Sequence, residues 1–273
     1  MSGAQETSSA PASATPVDEA RLEWERVCTA SGDPAREPLK AFQFQADVRT
    51  RNGAQVNDAR IDLRYLAPDC IRFVLPSRNE TGRFGPAPEQ YWVQTPDAVV
   101  VLAGREYKED RRKVEDMLSL ARNYVALSNP ARLNILALEL MAAPPADLGE
   151  PLAKRFRKLR WLALESPDFA LLRDEMGRQK QAVYRVELGL NVDHLPAVAI
   201  VRERGRPETE PLLVEFSQYQ AQDGYKLPFQ LRAYALDRRQ RPPVFQEEAA
   251  QEVYVTSASL RPKLSVADFQ PRK

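Results

Sequence analysis

Alternation with a period of two dominates the chain. In "LKAFQFQADVRTRNG", Phe42, Phe44, Ala46 and Val48 alternate with Gln43, Gln45, Asp47 and Arg49. This spacing predicts a strand with one dry and one solvated face. Asn52-Gly53 supplies turn chemistry before the next alternating run, "ARIDLRY". "LRYLAPDCIRFVL" breaks at Pro68-Asp69 and restarts, with Leu63 and Tyr65 on one face and Ile71, Phe73 and Leu75 on a common face. Arg72 falls off that face, which assigns it to the wet side or the rim. "QYWVQT" and "AVVVLAG" extend the series. "KLRWLALES", "FALLRDE", "AVYRVELGL", "LPAVAIVRER", "PLLVEFSQY", "YKLPFQLRAYAL" and "AAQEVYVTSASL" resume it in the C-terminal half. Asp223-Gly224 marks a hairpin between two of these.

The period changes in two places. "DEARLEWERVCTA" carries Leu22, Trp24, Val27 and Cys28 at helical spacing and predicts a short N-terminal helix over 18–30. In "EYKEDRRKVEDMLSLARNYVALS", Val114, Met117, Leu118, Ala121 and Val125 follow the i, i+3, i+4, i+7 rule. Opposite charges at i, i+4 (Glu109–Lys113, Arg111–Glu115, Arg112–Asp116) line the other face. Pro130 ends this helix. "ARLNILALELMAAPP" fits either a helix through Leu133, Leu136, Ala137 and Leu140 or an alternating strand.

These elements predict a mainly β fold with some helix: a curved, incompletely closed antiparallel β-barrel of about eleven strands, with helices covering the concave face. Few connections are long enough to house crossover helices, hence the antiparallel sheet. Too few helices exist to cover a flat sheet of that width, hence the curvature. A β-sandwich is the alternative, but it leaves the central helix without a place. Residues 1–17, rich in Ser, Ala, Thr and Pro, read as a disordered tether ahead of a single domain over 18–273.

Composition excludes several classes. The 273 residues carry 39 basic and 38 acidic side chains, for a net charge of +1. A nucleic-acid footprint needs a basic excess. No apolar run is long enough for a transmembrane helix. Two cysteines, Cys28 and Cys70, exclude a disulfide framework and a cysteine-rich zinc site. Both are expected to be unpaired, although an oxidising compartment would permit one bond between them. No nucleophile elbow, glycine-rich phosphate loop or metal-ligand spacing is present, so no cofactor, metal or catalytic residue is assigned. The single histidine, His194, reads as a hairpin-loop residue. Glu106, Glu109 and Asp110 are explained by the start of a helix.

The curved sheet offers another use. If the cover is not tightly packed, its interior is an apolar cavity, lined by Phe42, Phe44, Leu63, Tyr65, Ile71, Phe73, Met117, Leu118 and Leu136. A fully packed core is the competing expectation.

The order of "PDCIRF", "YWVQTPDAVVVL" and a helix resembles the periplasmic lipoprotein-carrier (LolA/LolB-like) family. The later stretches "LPAVAIVRERG", "LLVEFSQYQAQDGYKLPFQL" and "LSVADFQP" are similar too, so the resemblance covers residues 39–271. It implies an open barrel with a helical lid, a cavity for acyl chains and a periplasmic or cell-envelope location, lipid-anchored or with a leader removed. It implies as partners a lipid or an acylated lipoprotein and envelope transport proteins. Many carriers have an Arg before the Pro that bonds the lid closed; this chain has Ala67 there, and Arg72 inherits no such role. The leading reading is a noncatalytic binder or carrier of lipid or lipoprotein acyl chains. The alternatives are an interaction module with a filled barrel and a hydrolase using paired carboxylates.

Overall fold

The computed structural model describes residues 15–32, 41–53, 55–66, 70–75, 90–94, 99–102, 123–124, 126–127, 130–169, 182–206, 209–259 and 262–269. The strands, in chain order, are β1 (Ala41–Asn52), β2 (Gln55–Leu66), β3 (Cys70–Leu75), β4 (Gln90–Gln94), β5 (Val99–Leu102), β6 (Ala137–Met141) and β7 (Arg160–Ser166). They continue with β8 (Tyr184–Leu190), β9 (Pro196–Glu203), β10 (Leu212–Gln222), β11 (Tyr225–Tyr234), β12 (Leu236–Asp237), β13 (Val244–Phe245) and β14 (Gln251–Ser259). Twelve of them form one sheet in the order β5-β4-β3-β2-β1-β14-β11-β10-β9-β8-β7-β6, and β12 and β13 make a separate ribbon. Every neighbouring pair is antiparallel. Among the described residues the two edges, β5 and β6, do not pair, so the curved sheet stays open.

The period-two pattern of β1 is realised as read. Phe42, Phe44, Ala46 and Val48 are buried, and Gln45 and Arg49 are exposed. The β10–β11 hairpin turns through Asp223 (φ 49°) and Gly224 (φ 88°), with Gln222 opposite Tyr225. Two successive positive φ values define the tight turn whose twist suits a two-residue hairpin.

Helix α1 (Pro16–Ser31) begins two residues earlier than its apolar spacing indicates. Thr15 caps it: its hydroxyl accepts from the Asp18 amide, and the Asp18 carboxylate accepts from the Thr15 amide. Hydrogen bonds from the Thr15 hydroxyl (2.6 Å) and then from its amide hold the Asp18 carboxyl below the usual carboxylate range. The buried face is Ala20, Glu23, Val27 and Ser31, and Leu22 is half exposed. The expected central helix lies mostly outside the described residues. Its described part, 123–124 and 126–127, is helical, and Tyr124, Ala126 and Leu127 are buried. The "FALLRDE" strand also falls largely outside them; Phe169, at its start, is buried without strand geometry. The ambiguous stretch before Pro144 resolves as a 3₁₀ turn (Pro130–Arg132) followed by the edge strand β6.

One apolar cluster occupies the concave side. It joins Ala20 and Val27 of α1 and Tyr124, Ala126 and Leu127 to inward residues of β1, β2, β7–β11 and β14. A second cluster lies on the convex side, which the sequence pattern does not announce. Leu148, with Leu152 and Phe156 of helix α2 (Gly149–Phe156) and Phe245, packs on Trp161, Val198, Ile200, Leu213 and Tyr234. Strands β7 to β9 are therefore covered on both faces. This is why "WLAL" and "AVAIV" read as continuous apolar runs rather than alternating ones. Arg155 fastens α2 to the sheet: its Nη2 donates to both Glu215 carboxylate oxygens (2.6 and 2.8 Å) and its Nη1 to the Tyr234 hydroxyl (3.0 Å), which itself donates to Glu215 (2.6 Å).

Arg72 is neither wet nor on the rim. It pairs in register with Arg64 on the convex face and is buried beneath the C-terminal 3₁₀ turn (Val266–Phe269). Its guanidinium donates to the Asp268 carbonyl at 3.2 Å, and Phe269, fully buried, packs on Leu66 and Leu264. A chain end 196 residues away covers it, which local periodicity does not reveal.

Candidate functional site

The concave face near β1 and β2 is an aromatic wall. Phe42 and Phe44 stack with centroids 5.9 Å apart, and Phe42 meets Tyr65 at 5.5 Å. Tyr124 leans on both phenylalanines, at 5.9 and 5.3 Å in tilted geometry. Such contacts add roughly 0.5–1.5 kcal/mol each beyond area burial. The wall stands on a strand held from both sides, because β1 is laddered to β2 and β14 along most of its length.

Of the expected lining residues, the structure brings Phe42, Phe44 and Leu63 together as buried core and Tyr65 partly buried against it. Register pairs Phe73 with Leu63 and Ile71 with Tyr65. Met117 and Leu118 lie outside the described residues. Leu136 stands apart: it precedes β6 and is 55% exposed, while Leu138 and Leu140 pack on the concave cluster.

Two phenols enter this apolar interior. The Tyr219 hydroxyl donates to the Pro196 carbonyl at 2.6 Å, and burial, with the neighbouring Tyr124, pushes its pKa far above the ordinary phenol value. The Tyr124 hydroxyl donates to the Pro228 carbonyl at 3.3 Å. The outer half of the β10–β11 hairpin supplies much of this region. Pairing of β10 with β9 runs over Leu212–Glu215, and pairing of β11 with β14 over Gln230–Ala233. Beyond those residues the hairpin leans on other parts: Tyr225 bridges Gly32 at the end of α1, and Gln222 donates to the Ala258 carbonyl.

The most concentrated buried charge involves residues that sequence reasoning passed over. Glu23 of α1 is fully buried, accepts from Arg26 (3.1 Å), forms an ion pair with Arg160 (2.9 Å) and lies 2.7 Å from Nδ1 of His194. His194 does sit in the β8–β9 loop, with φ at 60°. Its role there is to meet a carboxylate 171 residues away and fix α1 against the sheet. A glutamate among the charged residues of a helix gives no sequence signal of burial. Cys28, on the same helix, is a free thiol whose pKa burial pushes up to about 11.

Among the described residues no group of three or more His, Cys, Asp or Glu side chains could hold a metal ion. Among them, too, no helix is long and apolar enough to cross a membrane.

No protein-family model and no curated protein matches the chain. Several solved structures are similar to it. One is a LolA superfamily protein from Nitrosomonas europaea, with a TM-score of 0.48, 14% identity, and 92% of this chain and 97% of that chain covered. Another is a DUF1329 family protein from Desulfovibrio piger, with a TM-score of 0.45, 13% identity, and 94% and 98% covered. A third is an outer membrane lipoprotein-sorting protein domain from Vibrio parahaemolyticus, with a TM-score of 0.44, 10% identity, and 93% and 97% covered. The likeness is one of fold.

Proposed function

We propose that this chain is a noncatalytic cell-envelope protein that holds a lipid, or the acyl chains of a lipoprotein, against the concave face of its sheet and serves as a carrier. The observation that carries the reading is the aromatic and aliphatic wall of Phe42, Phe44, Leu63 and Tyr65, set inside a sheet whose edges β5 and β6 do not pair among the described residues. A flexible acyl chain is the ligand such a surface suits, since it is recognised by area rather than by directed polar groups. The sequence resemblance to the LolA/LolB-like carriers supports the same class, with residues 18–273 acting as one domain in the periplasm or envelope. Ala67, at the position where carriers place their latch arginine, leaves the fastening of the cover to other residues.

A second reading, a filled barrel serving as an interaction module, is favoured by the β7–β9 side. There Leu162, Leu164, Val186 and Leu188 are at most 1% exposed. Native mass spectrometry of protein purified from an envelope extract tests the choice. A co-purifying lipid mass that is lost on delipidation supports the carrier. Bare protein after incubation with mixed envelope lipids supports the filled barrel.

A further inference from the structure

We propose that the end of the sheet where β7 begins docks on an anionic phospholipid surface, with Val192 as its apolar tip and Lys154, Arg157 and Lys158 as its cations. This is a second surface, and it does not rest on the acyl-binding reading. The chain between Pro151 and Leu164 carries five cations, Lys154, Arg155, Arg157, Lys158 and Arg160, and no acid. Arg155 is paired with Glu215 and Arg160 with Glu23. Lys154, Arg157 and Lys158 are exposed and make no hydrogen bond or ion pair among the described residues. A helix C-terminus favours cations within its last turn, whereas Arg157 and Lys158 follow the last residue of α2. At the same end Arg26 and Arg160 share the Glu23 carboxylate, so that cluster keeps at least one positive charge whichever form His194 takes. Asp193, in the neighbouring loop, is the acid that opposes these cations.

Val192 leaves the sheet beside them. Arg160 pairs in register with Leu190, so Lys158 and Val192 each stand two residues beyond that pair, at one end of the sheet. Leu159 closes the gap between the two segments: a Cβ at Gly189 would come within 2.8 Å of its side chain. Val192 is 92% exposed, the most exposed large apolar side chain among the described residues. The loop that carries it is closed by its own bonds. The Asn191 side chain accepts from the Asp193 and Leu195 amides (2.9 and 3.0 Å). The Asn191 carbonyl accepts from the His194 amide, and its own amide donates to the Leu195 carbonyl, both at 3.0 Å. His194 in turn meets Glu23 of α1. A loop whose amides are satisfied internally can enter the headgroup layer without stranding donors. An acidic protein would answer the cations alone. An aliphatic tip standing rigidly among cations is the arrangement of an interfacial anchor, and this favours the lipid surface.

The test is partition of the full chain onto sedimented vesicles, either mixed phosphatidylglycerol and phosphatidylcholine or phosphatidylcholine alone. The wild type is expected on the mixed vesicles and not on the neutral ones, and to leave them as salt rises. Each Lys or Arg near an anionic surface is worth about fivefold, so Arg157→Ser with Lys158→Ser lowers partition roughly 25-fold. Val192→Ser, which removes the buried isopropyl group, lowers it roughly tenfold. Arg238→Ser with Arg239→Ser makes the same change of net charge at the opposite end of the sheet, beyond Tyr234, and leaves partition within about twofold. All substituted positions are exposed, and circular dichroism checks that each variant is folded. Failure of the wild type to bind mixed vesicles overturns the proposal. So does an equal loss in the two arginine-containing pairs, which would mean that only total charge matters. Loss in the Arg157, Lys158 pair with no change in Val192→Ser overturns the lipid assignment in favour of an acidic macromolecule. Fatty-acid uptake, measured separately, is unchanged in every one of these outcomes.

Discussion

Gly224 and Cys28 show what a single side chain contributes here. With φ at 88° after Asp223 at 49°, Gly224 occupies backbone space that a β-branched residue enters only under strain. Gly224→Val is expected to cost about 1 kcal/mol or more, read as a lower midpoint in denaturant unfolding with an unchanged slope. An unchanged midpoint would reject the turn geometry. For Cys28, burial favours the neutral thiol, so the thiolate is scarce until the pH nears about 11. Alkylation by iodoacetamide in the folded protein should stay slow through neutral pH and rise only in strongly alkaline buffer, later than a model thiol with a pKa near 8.5. The linkage has the corresponding sign: the folded state binds the proton more tightly, so the thiol's contribution to stability is lost as pH rises from the ordinary thiol value toward about 11. Labelling at neutral pH as fast as in the unfolded chain would contradict the burial of this helix face.

At the scale of elements, α1 is fixed by charge as much as by apolar contact. Its cluster is asymmetric: the Glu23 carboxylate is fully buried, while Arg26, Arg160 and His194 are between 36% and 52% exposed. Removing Glu23 releases side chains that water can still reach. Removing those partners strands a carboxylate that water cannot reach, which is the costly direction. Glu23→Leu is thus expected to lose about 1–2 kcal/mol and the double change Arg160→Ala with His194→Ala about 3 kcal/mol or more, by thermal or urea unfolding. Equal losses would show that the carboxylate is not sealed. This cluster also marks the border of what the sequence makes legible. The inward faces of β1 and β2 are plain in the alternation of Phe42, Phe44 and Leu63, because burial on one face imprints a period of two. The burial of Glu23 and Arg72 is not, because each is created by a distant partner: the β8–β9 loop for one, the C-terminal turn for the other. The turn residues Asp223-Gly224 are legible for the opposite reason, since their chemistry is complete within the hairpin itself. Leu136 is misassigned by a helical reading of a stretch that pairs as the edge strand β6, whose register turns Leu138 and Leu140 toward the core instead.

The whole molecule is an open curved sheet whose two halves differ. Around β7–β9 both faces are covered, by α1 and the concave cluster on one side and by α2 on the other. Double coverage makes this half a rigid base, since exchange of buried amides there requires disrupting two packed layers. Around β1–β3 the concave side carries the aromatic wall, and the convex side carries exposed ion pairs such as Arg60–Asp47 at 3.0 Å and Arg49–Asp58 at 3.1 Å. Such pairs contribute little stability each, in the range of about 0–1 kcal/mol, and keep that face wet. The central claim is that the wall takes an acyl chain. The most direct test is a titration of the wild-type chain with a fluorescent fatty acid, followed by displacement with the unlabelled acid, repeated on Phe44→Asp. The account predicts saturable binding that the unlabelled chain displaces, and its loss in a Phe44→Asp protein that remains folded by circular dichroism. No saturable uptake by the wild type, or uptake equal in Phe44→Asp, would contradict it.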